Sequence, residues 1–505
     1  MTTNKKQKLR SSLYAVVAGI SLLSMLCLDT RNIKLSKSIS LKMSEVSAQS
    51  TQPVTYYVSP EGNNSNPGTA TKPWRSVSYA VGVSSPVKAG DTILVQPGTY
   101  TELITLSKSG NSSGHIKLKA NGTVILRDPD SVNGGFREGV IQSAGKGFWI
   151  IDGFRIENTS WAGIALRDAN DMIIQNNHTY QTGASGVIVM PENYYDGGEL
   201  EVTSRNIKVL NNTIERANWR YSGSSSTEGS QEALSIWGVD GFEVANNTLN
   251  EGNREGIDAK VGSRNGSIHD NIVTRQALVT GKPGGYNGGP AIYLDGNRAS
   301  SFNIAIYNNT VYANTADGIA IADEVPSIGD VSHIRVYNNV IYSNGLLGVN
   351  GGVGILITSN VRDIEVINNT VAKNVQALVI DGYSSTGGYQ PYNIKVGNNI
   401  FSNSTYRNGY VDAVNNLEIY YNLFTNSFTN LYDTGTHGHS LSAWNNNKVP
   451  SIGFVDLDGN NFHLTSASPA ISVGNPTYIP YITFDKDYKP RIRGASIDLG
   501  AYQLE

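Results

Sequence analysis

The sequence predicts an all-β protein built as a right-handed parallel β-helix, and three observations carry that prediction. A short segment returns along the chain as NIKVLNNTI, GFEVANNTL, NGSIHDNIV, NIAIYNNTV, HIRVYNNVI, DIEVINNTV, NIKVGNNIF and NLEIYYNLF. The apolar runs within it alternate with period two, the period of a strand. Composition agrees, since 53 glycines, 27 tyrosines against 11 phenylalanines and only 16% charged residues suit short strands and turns better than amphipathic helices.

From the N-terminus, Lys5, Lys6, Lys8 and Arg10 precede an apolar run over residues 13–28, which is short for a bilayer span and has the pattern of an export signal. Residues 1–48 are assigned to that signal and a polar leader. Val46 and Ala48 fit a small-residue cleavage pattern, and an uncleaved anchor is the alternative. Cys27, the sole cysteine, lies inside the signal, so the mature chain is expected to have no disulfide partner. Leu26 stands where a lipoprotein box needs a small residue, which disfavours lipidation. Residues 52–127 are expected to hold an N-terminal cap and the first coils. There SVSYAVGVSSPV reads as a short helix covering a strand edge that would otherwise be unpaired.

Residues 128–425 are the repeated coils. The last asparagine of each unit falls at Asn177, Asn212, Asn247, Asn271, Asn309, Asn339, Asn369, Asn399 and Asn422, spaced by 23 to 38 residues, a solenoid period. Propeller blades would need regular hairpin turns, and the Asn-Gly and Asp-Gly signals are not regularly placed. An asparagine at each bend is expected to adopt the left-handed conformation while its amide bonds the equivalent residue one coil away. The Asn-Asn-Thr triplets are thus repeat grammar rather than glycosylation sites. From about Asn426 the repeat is lost, and residues 426–505 are assigned to a C-terminal cap over the other end of the solenoid.

A second apolar run aligns across coils as AGIALR (162–167), SGVIVM (185–190), EALSIW (232–237), EGIDAK (255–260), PAIYLD (290–295), DGIAIA (317–322), VGILIT (353–358) and QALVID (376–381). Third and fifth positions are apolar throughout and must fill the core. Fourth and sixth positions then face outward. This places Trp237, Lys260 and Asp295 in one outward column and Ser235, Asp258 and Tyr293 in another, with Glu232 and Glu255 at the rim. Adjacent coils stack about 4.8 Å apart, so these side chains share one patch. The loops at 190–206 and 274–289 are longer than bare turns, and Tyr194, Tyr195 and Tyr286 are placed beside a cleft.

TYYVSPEGNNSNPGTATKPWRSVSYAV (55–81), VKAGDTILVQPGTYTELITLSKSG (87–110) and the closing SPAISVGNP and KPRIRGASIDLGAYQLE resemble exported pectate-lyase-like β-helix proteins, among them polysaccharide lyase family nine. That resemblance implies fold and compartment, secreted or at the cell surface, more than chemistry. NREGIDAKVG is similar to the strand that places acidic and lysine residues in those lyases. The family's Asp-Asp-Gly-x-Asp calcium run has no counterpart in the following GGPAIYLDG.

The net charge of −3 excludes the basic stripe that nucleic-acid binding requires. The expected partner is an extracellular, uronate-containing polysaccharide, met by a monomer. Aromatics beside carboxylates suit saccharide rings, and Trp237, Arg167 and Glu232 are the substrate-binding candidates. β-Elimination needs the uronate carboxylate neutralised and the C5 proton removed. Lys260, with a lowered pKa, is the expected base, and Asp258 and Tyr293 complete the catalytic set. Glu255, Asp258 and Asp295 are the candidate ligands of a Ca²⁺ ion. The competing readings are a hydrolase using two of the carboxylates, an epimerase using Tyr293 as acid, a non-catalytic glycan-binding or adhesion surface, and a plain solvated charge ladder. Asp323 and Glu324 read as turn residues that could extend the patch. His178 and His269 read as turn or surface histidines.

Overall fold

The computed structural model describes residues 52–504 apart from 135–137, 198–199, 223–230, 279–288, 326, 347–350, 382–388, 426–440, 445 and 492–495. The signal assignment, Cys27 and Tyr286 lie outside the described residues. Among those described, no helix is long and apolar enough to cross a membrane.

Each coil contributes up to three short strands, and like strands stack in parallel register into sheets of 14, 13 and 11 strands. The order within each sheet follows the chain coil by coil, as a β-helix requires. The largest hydrophobic cluster runs the length of the solenoid's interior. It contains the aliphatic pairs assigned inward: Leu234 and Ile236, Ile257 and Ala259, Ile292 and Leu294, Ile319 and Ile321.

The asparagine at each bend is in fact two residues with divided labour. The first is left-handed, as at Asn211, Asn246, Asn308 and Asn338 with φ near +56°. The second forms the ladder: Asn247 Nδ2 donates to Asn271 Oδ1 at 3.0 Å, Asn271 to Asn309 at 3.0 Å and Asn309 to Asn339 at 3.0 Å. Left-handed backbone is least costly for asparagine among residues with a Cβ, and the buried amide needs a partner. One residue cannot easily satisfy both demands, which explains the doublet. A second ladder, unforeseen from the sequence, runs through Gln276, Asn314, Asn344 and Asn374 at the next bend.

The expected cap helix is Val77–Val81. Ser76 caps it, Glu102 accepts from the Val77 and Ser78 amides, and Val77, Ala80 and Val81 are buried. At the other end the strands persist beyond Asn426, with Leu441–Trp444 and Asn447–Lys448 still in the sheets. The remaining tail folds back along the bends. The left-handed asparagines of three successive coils bond it through Phe484, Asp498, Gly500 and Asn475, and Lys486 reaches the Asn308 carbonyl at 2.6 Å.

Asp317 supplies a test of the interior's electrostatics. It is buried and accepts the Val353 amide at 2.8 Å, yet burial still lifts its carboxyl from 3.8 to about 6. The folded state therefore binds the proton more tightly than the unfolded state. The stability this lends is complete below pH 3.8 and is lost as pH rises through about 6. Two units at about 1.4 kcal/mol each is roughly 3 kcal/mol. Asp317→Asn is expected to raise stability at pH 8 by up to that amount and to flatten the fall between pH 4 and 6, as read by urea unfolding across pH.

Candidate functional site

The site is built on the outer face of the 11-stranded sheet, where Leu234–Trp237, Ile257–Lys260 and Ile292–Asp295 stack in register. Ser235 lies against Asp258 and Asp258 against Tyr293, while Trp237 lies against Lys260. The Ser235–Asp258–Tyr293 column is thus present, as is the Trp237–Lys260 step of the other. What differs from expectation is exposure: Asp258 and Asp295 are 0%, Glu232 1%, Trp237 2% and Lys260 7% exposed. This is no solvated ladder.

Part of the cover is the loop after Met190. Tyr194 lies on Trp237 with ring centroids 4.4 Å apart, and Tyr195 bonds Gln231 at 2.8 Å. Arg298 holds Tyr194 from behind, donating to its carbonyl at 2.9 Å. Together with Trp161, Ile188, Met190, Leu200 and Val261 these residues form an apolar cluster outside the solenoid core.

Under that roof Lys260 Nζ lies 2.9 Å from Glu232 Oε1 and 3.1 Å from Asp258 Oδ2, and 4.7 Å from the centre of the Trp237 ring. Ser235 Oγ donates to the other Glu232 oxygen at 2.7 Å. Burial alone disfavours an ammonium, but Asp258 and Glu232 hold Lys260 well above the ordinary lysine range. That is opposite to the lowered pKa expected of a lysine base. Burial also opposes ionisation of Glu232, yet Lys260 and Arg254 bring its carboxyl below the usual value. Asp258 behaves differently: burial lifts it well above the carboxylate range, with Lys260 pulling the other way. Glu232 is thus the standing counterion, and Asp258 is the carboxylate with unusual proton affinity.

Asp295, one coil on, is raised first by burial and then by Glu324. Its Oδ1 accepts the Asn297 and Glu324 amides at 3.1 and 2.9 Å. Asp323 is pushed up to about 6, mainly by burial. The expected extension of the patch towards Asp323 and Glu324 is thus joined to Asp295 through the Glu324 amide. Burial, then Asp295, keeps the Tyr293 phenol far above its usual range and so protonated.

Two expected members stand elsewhere. Glu255 is held by Arg254 in two contacts of 2.7 and 3.0 Å, with the guanidinium over Tyr221. Arg167 pairs with Glu192 at 3.0 Å, on a strand that stacks against Val187–Met190. The calcium ligands are consequently not gathered: Asp258 faces Lys260, Glu255 faces Arg254, and one Asp295 oxygen is taken by amides. Among the described residues no group of three or more His, Cys, Asp or Glu side chains is arranged to hold a metal ion.

Oδ1 of Asp258, Oδ2 of Asp295, Oδ2 of Asp323 and Nε1 of Trp237 are buried with no hydrogen-bond partner among the described residues, whereas Oδ2 of Asp258 has the Lys260 ammonium at 3.1 Å. A buried orphan costs on the order of 1–3 kcal/mol, and a buried ion network adds little net stability. A β-helix needs neither on its outer face. This gathering of unmet polar atoms and shifted carboxyls makes the patch the candidate site.

Comparison with known proteins agrees with the fold. Residues 56–278 match the family model described as Pel9A-like, right handed beta helix region, and residues 220–371 match a model for the right handed beta helix region. The uncharacterized protein YwoF of Bacillus subtilis (strain 168) is 27% identical over 288 residues, 51% of this chain and 56% of YwoF. Pectate lyase PEL9 of Emericella nidulans is 29% identical over 167 residues, 30% of this chain and 37% of that enzyme. The chain therefore spans about half or less of the curated relatives it matches. The crystal structure of pectate lyase Pel9A covers 90% of this chain and 97% of its own, at 17% identity and a TM-score of 0.42.

Proposed function

We propose, for a chain that is a pectate-lyase-like right-handed β-helix protein, that it acts on an extracellular uronate-containing polysaccharide by β-elimination at the Asp258–Lys260–Tyr293 patch. The observation that carries this reading is the buried Lys260 ammonium, paired with Glu232 and set 3.1 Å from a carboxylate of raised proton affinity. A cation in that position neutralises the uronate carboxylate and acidifies the C5–H bond. A carboxylate whose pKa moves up towards working pH is the better general base. In this reading Asp258 takes the C5 proton, the C4–C5 double bond forms as the C4–O4 bond breaks, and the neutral Tyr293 phenol protonates the departing O4. The base role thus passes from Lys260 to Asp258, while Lys260 acts as the charge-neutralising group. Trp237 and Tyr194 supply aromatic faces once the loop carrying Tyr194 moves aside.

Substitution of Lys260 separates the two roles. Lys260→Ala leaves Glu232 buried and unpaired at a cost of about 3–5 kcal/mol, so Lys260→Arg is the informative variant. If Lys260 neutralises charge, the arginine enzyme retains measurable formation of unsaturated product, roughly a tenth of wild type, on the scale of a single retained charge contact. If Lys260 is the base, a guanidinium cannot replace it and activity vanishes. The rate is read as absorbance of the product double bond on a uronate polymer.

A further inference from the structure

A second cleft lies at the bend that precedes the strands of the candidate site. Its volume is about 510 Å³, and Gln181, Arg216, Trp219, Glu251, Asn253 and Arg275 line it. We infer that this cleft is a second saccharide subsite, which takes an anionic sugar unit of the same polysaccharide chain at a distance from the reacting bond. The inference rests on the polysaccharide reading above and adds a location and a charge preference that the catalytic patch does not supply.

The geometry of the bend brings these residues together. Arg216, Glu251 and Arg275 each follow a strand of the 13-stranded sheet and Gln181 lies near the end of one, in four successive coils, and all four are left-handed, with φ between 52° and 58°. Their side chains therefore leave the solenoid in one column. Glu251 sits between two guanidiniums, with Arg216 Nε at 2.8 Å and Arg275 Nη2 at 2.9 Å. Both arginines are about half exposed, at 52% and 53%, and one carboxylate serves them both. Arg216 also donates to the Tyr180 hydroxyl at 3.1 Å. Among the described residues Glu251 is the carboxylate that contacts both, and a guanidinium presents a planar fork suited to a further one.

Trp219 supplies the other half of a sugar site. It is 40% exposed, with the Arg220 guanidinium 5.6 Å from its ring centre. Arg220 itself reaches back to the Ser131 and Val132 carbonyls, which ties this turn to the preceding coils. A large aromatic left open beside guanidiniums can stack one face of a pyranose while charge selects the acid. Position supports a shared ligand. Asn253 in the cleft and Asp258 in the patch are five residues apart on one strand approach, a span of at most about 17 Å, which a few sugar units bridge.

Affinity electrophoresis with polygalacturonate in the gel, and with neutral xylan as the control, tests the inference without requiring turnover. Polygalacturonate is expected to retard the wild type and the Asp258→Asn variant alike, and xylan to retard neither. Trp219→Ala and Arg275→Gln should each weaken retardation at least tenfold, with melting temperatures little changed because an exposed ring and one exposed ion pair contribute little to stability. Equal retardation by xylan overturns the anionic preference. Undiminished retardation in both variants, or none for wild type, overturns the subsite. If polygalacturonate binds but is never cleaved, only the catalytic reading fails. If it is cleaved with binding indifferent to Trp219 and Arg275, only this inference fails.

Discussion

Asp258→Asn is expected to lower the rate of unsaturated-product formation about a thousandfold, within the roughly 10²–10⁴ that a positioned general base contributes. Asparagine keeps the shape but cannot accept the C5 proton. The fold should survive the change. Asp258 loses its contact with Lys260 at 3.1 Å, but an asparagine oxygen can still accept there and Lys260 retains Glu232 at 2.9 Å as its counterion. Removing a carboxyl whose ionisation burial opposes should leave the unfolding midpoint at pH 8 unchanged or higher. A variant that is both stable and fully active would remove Asp258 from the reaction. The pH profile offers a second reading of the same group. Because the base must be ionised, wild-type activity should rise with pH through the raised Asp258 value, well above the ordinary aspartate range.

A large stability effect is expected at Arg491, in the returning tail. This arginine is fully buried and donates through Nη2 to Asn338 Oδ1 at 2.7 Å and to the Ala501 carbonyl at 2.9 Å. Burial lowers its pKa to about 10 against the pull of Asp485 and Asp498. Arg491→Met removes the charge and leaves Asn338 Oδ1 without this donor and Asp485 and Asp498 without their buried cation, which should cost about 3–5 kcal/mol. The tail is anchored to coils more than 100 residues earlier in the chain, so the loss should also expose it. Hydrogen exchange is expected to show reduced protection over residues 474–501 and at the Asn338 bend, with the N-terminal coils unaffected. A loss below about 1 kcal/mol, the scale of an ordinary surface change, would mean that the tail does not depend on this group.

How much of this was legible in the sequence follows from which signals are periodic. The alternation of EGIDAK and PAIYLD fixed which side chains face out, because a one-residue slip would put Asp258 and Lys260 into the core. The asparagine spacing fixed the stacking, so Trp237 over Lys260 and Asp258 over Tyr293 could be read before any coordinates. Partner choice within the patch could not. Glu232 and Glu255 occupy equivalent rim positions, yet Glu232 reaches Lys260 while Glu255 is taken by Arg254, its immediate neighbour. The direction of the Lys260 shift was missed for the same reason, since it depends on two carboxylates within about 3 Å. Burial of the patch depends on Tyr194 and its loop, whose border position was expected but whose stacking on Trp237 was not. Arg216 and Arg275 recur at one position of the repeat, four residues after Asn212 and Asn271, but the residue type there changes from coil to coil, and Trp219 lies outside the repeated positions. Arg491 stands alone in a tail without a repeat, and its partner at Asn338 is 153 residues away.

The central claim is that the outward patch around Asp258 and Lys260 performs β-elimination on a uronate polymer. Product analysis of the wild-type protein on a panel of uronate and neutral polysaccharides tests it most directly. The account predicts chains ending in a C4–C5 double bond from a uronate polymer, and none from the neutral ones. Release of saturated reducing ends alone, or no cleavage of any uronate polymer by a folded preparation, would contradict it.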